Sequence, residues 1–551
     1  ESIGMYAIGQ GIVRNEKNIE ISAESGVGIF VSDTGYGENV KDSKYKDSNG
    51  QIDLLNAKSV GIFAKNNGNT YTAKNSGTIN LGTSDGKIAH TSLIGMFAQA
   101  ETGKTATVQN TADGIINVNT KKSVGIYGQN KTSNIAAVDL QNLGTININN
   151  KGSAGIYAPK STVSKVGTIK LKNTTDSDGS SAVYVSEGGK VADTTTGTID
   201  LGTAGSNLTG LIGMFGQSSN ASEPVKIENL GGTINVNTES SAGMYADNSS
   251  GTVSNVTLEN TGTINVNRKK SAGIYAPKST VSKVGKVNLV NDADGASAVY
   301  IEDGGVVTAA ETAEINLGTA NQNRVAYYVK NAGSNVKGTS IGKITGYGVG
   351  VYLQGTAVAP GVTASQATLD SNTATLDYTT GATGNGIIGL YLAGNTDISA
   401  YNKAIKVGDT VESNYAIGVY TDGQGTLGTP GSPYSITQNI TAGKNGVGIF
   451  ADKSSNLEYN GTMKVGKVGG TGSSSSGVGI YIANQGGTGS KVTLGSTGNI
   501  ELYGKGGVGA IVTKDSNFTA TTGSKIELKE GSGVGVFGLK GSTIDAEHLT
   551  F

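Results

Sequence analysis

Residues 232–277 read GTINVNTESSAGMYADNSSGTVSNVTLENTGTINVNRKKSAGIYAP. Two patterns in this stretch return after 30 residues: Gly-Thr-Ile-polar-apolar at Gly232 and Gly262, and a Gly-apolar-aromatic triplet ending at Tyr245 and Tyr275. Outward from there, the triplet runs from Tyr6 and Phe30 through Tyr127, Tyr157 and Tyr184 to Tyr481 and Phe537, and one copy, Gly509-Ala510-Ile511, has lost its aromatic. The spacing averages about 30 residues, and a period of that length signals stacked solenoid units. Clean copies of the second motif are Gly77–Leu81, Gly144–Ile148, Gly167–Leu171 and Gly197–Leu201. Apolar residues alternate there with Asn, Asp, Lys or Glu, the period of a half-buried strand. A third, weaker strand precedes it, as at Ala137–Leu140, Val225–Ile227 and Val256–Leu258. Each leads to an Asn (Asn142, Asn229, Asn260), one residue and a Gly, a turn made of residues that tolerate left-handed backbone.

Three strands and three turns in roughly 30 residues predict one coil of a parallel β-helix. The expected fold is all-β, a right-handed parallel β-helix of about 18 coils forming a single continuous rod over residues 1–551. At about 4.8 Å per coil the rod would be roughly 85–90 Å long. Ser153–Gly167 (SAGIYAPKSTVSKVG) reappears unchanged at Ser271–Gly285, so 94–211 and 212–329 read as four-coil super-repeats. Longer excursions at 32–51, 354–385 and 421–435 read as turn insertions, and Gly469–Gly477 as a mobile turn. Neither end reads as a cap, which suggests an excerpt from something larger.

Composition supports a packed repeat. Of 551 residues 86 are Gly, 36% are hydrophobic, and none is Cys or Trp. A formal net charge of −1 argues against a nucleic-acid binder as the default. The absence of Cys excludes disulfides and thiolate sites. No apolar run is long enough for a transmembrane helix, and Glu1-Ser2-Ile3-Gly4 lacks the pattern of a signal peptide.

The triplet aromatics should stack coil on coil in a column. We expect it to be structural, wholly or partly buried, with Tyr hydroxyls reaching solvent; the competing reading is an exposed platform for sugar rings or a protein partner. The triplet Gly is expected to share the aromatic's face and leave room beside the ring. The recurring Asn should form a stacked amide ladder. His90 and His548 lie far apart, and no Gly-x-Ser-x-Gly elbow is present, so neither a hydrolytic triad nor a metal site is expected. A β-helical lyase or hydrolase needs clustered carboxylates with a Lys or Arg base, yet Asp200, Glu501 and Glu527 read as solvated outer faces. Asp176–Gly179 and Asp292–Gly295 resemble the start of a calcium loop without its distant Glu and read as turns. We therefore expect no catalytic residue, cofactor or metal. Candidate contact residues lie in the most polar excursion, 32–51: Tyr36, Lys41, Lys44, Tyr45 and Lys46.

The runs GTINVNTESSAGMYA (232–246) and GTINVNRKKSAGIYAP (262–277) resemble the passenger region of very large type V autotransporter adhesins, particularly the fusobacterial outer-membrane group. The resemblance spans essentially the whole chain and rests on repeats. It implies a cell-surface β-helical passenger, exported through a signal sequence and anchored by a C-terminal β-barrel. It also implies attachment to host cells, to a glycan or protein receptor, or to other bacteria. The expected partners exclude nucleic acid, and the rod is expected to be monomeric. The alternatives are a β-helical polysaccharide lyase or hydrolase, or a structural stalk whose binding lies elsewhere.

Overall fold

Short alternating segments rich in β-branched residues give short strands, because such side chains pack well on a pleated surface. Thr145–Ile148 is one, with Ile146 and Ile148 fully buried and Thr145 and Asn147 facing outward. The computed structural model describes residues 2–551 apart from 42–48, 85–89, 132–133, 173–178, 194–196, 204–207, 253–254, 319–322, 332, 356–366, 370–374, 379–385, 409–415, 424–426, 429–430, 468–475 and 486–488. Two units emerge, residues 1–286 and 287–551. Each is a parallel β-helix, as the period predicts.

In the first unit a coil consists of a triplet strand, a second strand and a third strand, for example Val124–Asn130, Val138–Asn142 and Thr145–Ile148. Ten triplet strands, from Ile3–Ile8 to Ala272–Pro277, pair in parallel with their counterparts one coil away. The aromatics fall in register: Tyr127 opposes Tyr157, and Tyr245 opposes Tyr275. The duplicated sequence carries a duplicated irregularity. Register shifts between Leu140 and Gln141 against Val163 and Lys165, and again between Leu258 and Glu259 against Val281 and Lys283.

The second unit has nine triplet strands, from Ser297–Glu302 to Gly533–Gly538. Its other strands are shorter, some only two residues, such as Val306–Val307 and Ala367–Thr368. Its interior is filled partly by large rings: Tyr327, Tyr378, Tyr401, Tyr459 and Phe518 are all fully buried. A buried phenol needs a hydrogen-bond partner. Tyr327 donates to the Ile341 carbonyl and Tyr378 to the Gly346 carbonyl, each at 2.9 Å.

Among the described residues the expected excursions are interrupted by strands. Tyr36–Asn39 pairs with Ile12–Asn15 inside 32–51. Leu376–Tyr378 lies inside 354–385, and Tyr434–Ile436 begins at the end of 421–435. The chain re-joins the stacked sheets because four or fewer alternating residues suffice once a neighbouring coil supplies hydrogen bonds. Ala293–Ala296 closes a turn as expected; Asp176, Asp178 and most of 469–477 lie outside the described residues.

The expected place of the triplet Gly is overturned. A Cβ on Gly125 would lie 2.6 Å from the Gly155 carbonyl oxygen and 3.0 Å from Cγ2 of Ile146, a side chain of the interior. The same clash, with the next coil's carbonyl and an inward Ile, recurs at Gly28, Gly61, Gly95, Gly213 and Gly243. Alternation therefore breaks at the glycine, which turns inward together with the aliphatic residue after it. The glycine is favoured by the close approach of the next coil's backbone, with Ala182 and Ala298 as the small alternatives; it makes no room beside the ring.

The amide ladder is present, and it is buried. Asn15, Asn39, Asn75, Asn110 and Asn142 each end a second strand or stand in that place, and Nδ2 of each donates to Oδ1 of the next at 2.7–2.8 Å. Asn229 donates to Asn260 in the same way. Such a chain satisfies polar groups that would otherwise cost roughly 1–3 kcal/mol each to bury.

Candidate functional site

The aromatic column lies on the outer face of the triplet strands in both units, and its interior rings are half-buried. In the first unit successive centroids from Phe63 to Tyr275 are 4.6–5.4 Å apart and nearly parallel, whereas Phe30 meets Phe63 edge-on at 84°. In the second unit Tyr300 to Tyr481 stack likewise, apart from a 60° tilt between Tyr352 and Tyr391. Both faces of an interior ring therefore lean on neighbours. What remains for a partner is a line of ring edges and hydroxyls, so flat stacking of sugar rings is closed to all but the column's ends.

Beside the column, two residues further along many of the triplet strands, stand polar side chains. Gln217 donates to Asp247 at 2.9 Å, Tyr300 to Glu302 at 2.8 Å, Tyr391 to Asp422 at 3.1 Å and Tyr420 to Asp452 at 2.9 Å. Burial pushes the Tyr184 and Tyr328 phenols up to about 12, and Tyr300, Tyr391 and Tyr420 also rise, burial first and the neighbouring carboxylates second. A phenol raised in the folded state stabilises fully below its unfolded value near 10, and that stability is lost as pH rises through the folded value. We expect native protein to withhold these tyrosines from ionisation at pH about 10–11 and to lose stability between about 10 and 12. An ultraviolet tyrosinate titration, run with and without denaturant, checks this; overlapping curves would refute it.

One pair of these polar side chains escaped the sequence reading. Asp422 and Asp452 oppose each other in register and are 4% and 0% exposed. The Lys453 ammonium sits 2.6 Å from Asp422, and Oδ1 of Asp452 accepts the Lys453 and Gln485 backbone N–H groups. The signal was present as Asp two residues after the aromatic in consecutive coils, VYTD and IFAD. Lys453→Met should leave two buried like charges side by side and destabilise this region by about 2–4 kcal/mol. Adding Asp422→Asn should restore most of the loss, as read by amide exchange over 417–452.

The third strands of the first unit carry outward amides in a separate, open groove of about 510 Å3 lined by Glu20, Gln51, Asp53, Asn80, Asn117, Asn119 and Asn149, with Thr83 and Ser84 at its rim. Asn147 donates to Asn117, Asn117 to Asn80 and Asn80 to Asp53, at 2.8–2.9 Å. Alongside, Asn149 donates to Asn119 at 2.7 Å and Asn119 to the Gly82 carbonyl at 3.1 Å. Gln51 takes both oxygens of Asp53. The groove thus presents a row of side-chain amides and a carboxylate to which a polar ligand can hydrogen-bond. Asp200 accepts from Asn235 at 2.8 Å, Glu501 from Tyr503 at 2.7 Å, and Glu527 pairs with Lys529 at 2.8 Å, all on outer faces as expected.

Two of the five candidate contact residues, Tyr36 and Lys41, lie among the described residues. Tyr36 lies in a strand, its hydroxyl donating to Glu38 at 2.6 Å and its ring flanked by Arg14 and Lys74, each 5.8 Å from the centroid. Burial, reinforced by Glu38, pushes its phenol up to about 12. Lys41 pairs with Asp113 at 3.3 Å on the surface. Lys44, Tyr45 and Lys46 lie outside the described residues. His90 and His548 are both exposed. Among the described residues no three His, Cys, Asp or Glu side chains gather as metal ligands, and no helix is long and apolar enough to cross a membrane. No known protein-family model matches this sequence, and no curated protein matches it.

Proposed function

We propose that this chain is a stretch of the passenger of a large type V autotransporter adhesin, displayed at a bacterial surface and working by attachment rather than catalysis. The observation that carries this reading is the sameness of the coils. The outward rows, aromatic and amide, repeat from coil to coil and hydrogen-bond along the stack, as suits a surface that presents rather than reacts. The resemblance of 232–246 and 262–277 to such passengers supports the same reading. The partner is a host-cell or bacterial surface, met through a glycan or a protein receptor. Beads coated with the purified chain should adhere to epithelial or bacterial cells above beads coated with an unrelated β-helix, and should release no reducing sugar from polysaccharide mixtures. Equal adhesion by the two bead types would refute attachment, and sustained sugar release would favour a glycan-degrading enzyme.

A further inference from the structure

The corner of the first unit between third strands and triplet strands is basic, although the whole chain is nearly neutral. Its described residues include Lys58, Lys121, Lys122, Lys151, Lys172, Lys269 and Lys270, with Arg268 at the end of a third strand, against Glu24 and Glu239. Three of these cations are answered by carboxylates. Lys58 pairs with Glu24 at 2.9 Å, and Arg268 and Lys269 reach Glu239 at 3.3 and 3.5 Å. Lys121 and Lys122 are exposed and have no ion-pair partner among the described residues.

The duplication supplies an internal control. One super-repeat later, Lys121-Lys122 is replaced by Glu239-Ser240 on the same backbone. Lys122 and Ser240 both have φ 49, and their N–H groups donate to the carbonyls of Lys151 at 3.2 Å and Lys269 at 3.3 Å. The amide columns beside them match as well, Asn149 to Asn119 and Asn267 to Asn237, both 2.7 Å. One turn thus exists in two charge states: a lysine pair without an ion-pair partner among the described residues in the first copy, and Glu239-Ser240 in the second.

We infer that the corner at Lys121 and Lys122, with Asn119 and Asn149 beside it, binds an acidic polysaccharide, its sulfate or carboxylate groups over the lysines and its hydroxyls on the amides. Coil spacing of about 4.8 Å offers hydrogen-bonding groups at nearly the rise of an extended sugar chain. A nucleic acid would use the same lysines but lacks a stacking partner, because no aromatic side chain stands in these turns. This inference rests on the attachment reading and narrows its partner.

Heparin octasaccharide binding to the whole chain, measured by calorimetry at several salt concentrations, tests it. The Lys121→Glu/Lys122→Ser variant installs a turn the fold already contains. It should weaken binding about tenfold and flatten the salt dependence. Glu239→Lys should strengthen binding several-fold, while Lys540→Glu, in the other unit, should change nothing. Unchanged affinity in the double variant, or equal binding of a single-stranded oligonucleotide, would overturn the inference. Bead adhesion read on the same variants separates the two proposals: adhesion that persists in the double variant leaves attachment standing and removes this corner from it.

Discussion

Gly125→Val should break the stack at one coil. A Cβ there would lie 2.6 Å from the Gly155 carbonyl oxygen, so the two backbones must shift apart even for a methyl group and have little left to give for anything larger. Valine adds two methyl groups toward Ile146, itself fully buried. Overpacking a core costs about 1–3 kcal/mol where side chains can move, and we expect at least the upper end here. Gly125→Ala should be much milder, because the chain itself carries Ala182 and Ala298 at the corresponding place, both fully buried. Solenoid stability is nearly a nearest-neighbour sum, so the damage should stay local. Hydrogen exchange should quicken in Val124–Asn130, Thr145–Ile148 and Ala154–Pro159 and remain unchanged in Thr263–Arg268. Native protection throughout the valine variant would show that coils separate more readily than this geometry allows.

The glycine also shows where the sequence is legible and where it is not. Period and alternation predict three strands per coil, and Tyr127, Tyr157, Tyr245 and Tyr275 stand in register as their spacing requires. The direction of the glycine does not follow from alternation, because a break in alternation is a three-dimensional event, set by the carbonyl of the coil above. The aromatic column could be foreseen as a stack. That its ring faces are occupied, leaving edges outward, follows only from the interplanar angles. Second-unit phenols such as Tyr327 and Tyr378 are interior for a reason invisible in one dimension: a carbonyl faces each hydroxyl. The site was least legible of all. Tyr36 looks like a loop contact in sequence, but it lies in a strand, with Glu38 of that strand on its hydroxyl and two cations from neighbouring coils beside its ring. Conversely, Lys121-Lys122 carries no motif. Its meaning comes from comparing one turn with its duplicate.

The amide ladder predicts a loss of a different kind. Asn110 is fully buried, accepts from Asn75 at 2.7 Å, and donates to Asn142 at 2.7 Å and to the Gly114 carbonyl at 3.1 Å. Asn110→Ala removes the middle of the chain and strands an acceptor on Asn142 and a donor on Asn75. Two unsatisfied buried groups at roughly 1–3 kcal/mol each, plus a small cavity, give a loss of about 3–5 kcal/mol. Asn110→Asp separates hydrogen bonding from shape. A carboxylate can still accept from Asn75, but it cannot donate to Asn142 or Gly114 and faces their oxygens instead. Asp193 shows what a carboxylate needs in this row: it accepts the Val166 N–H at 2.9 Å, a donor that position 110 does not have. The introduced carboxyl should therefore hold its proton more tightly when folded than unfolded. Stability is then retained below the ordinary carboxyl range and lost as pH rises through the elevated folded value. Near pH 4 Asn110→Asp should exchange more slowly around Asn75–Asn142 than Asn110→Ala, and at pH 7 faster. Two variants with parallel pH profiles would mean that the ladder contributes packing alone.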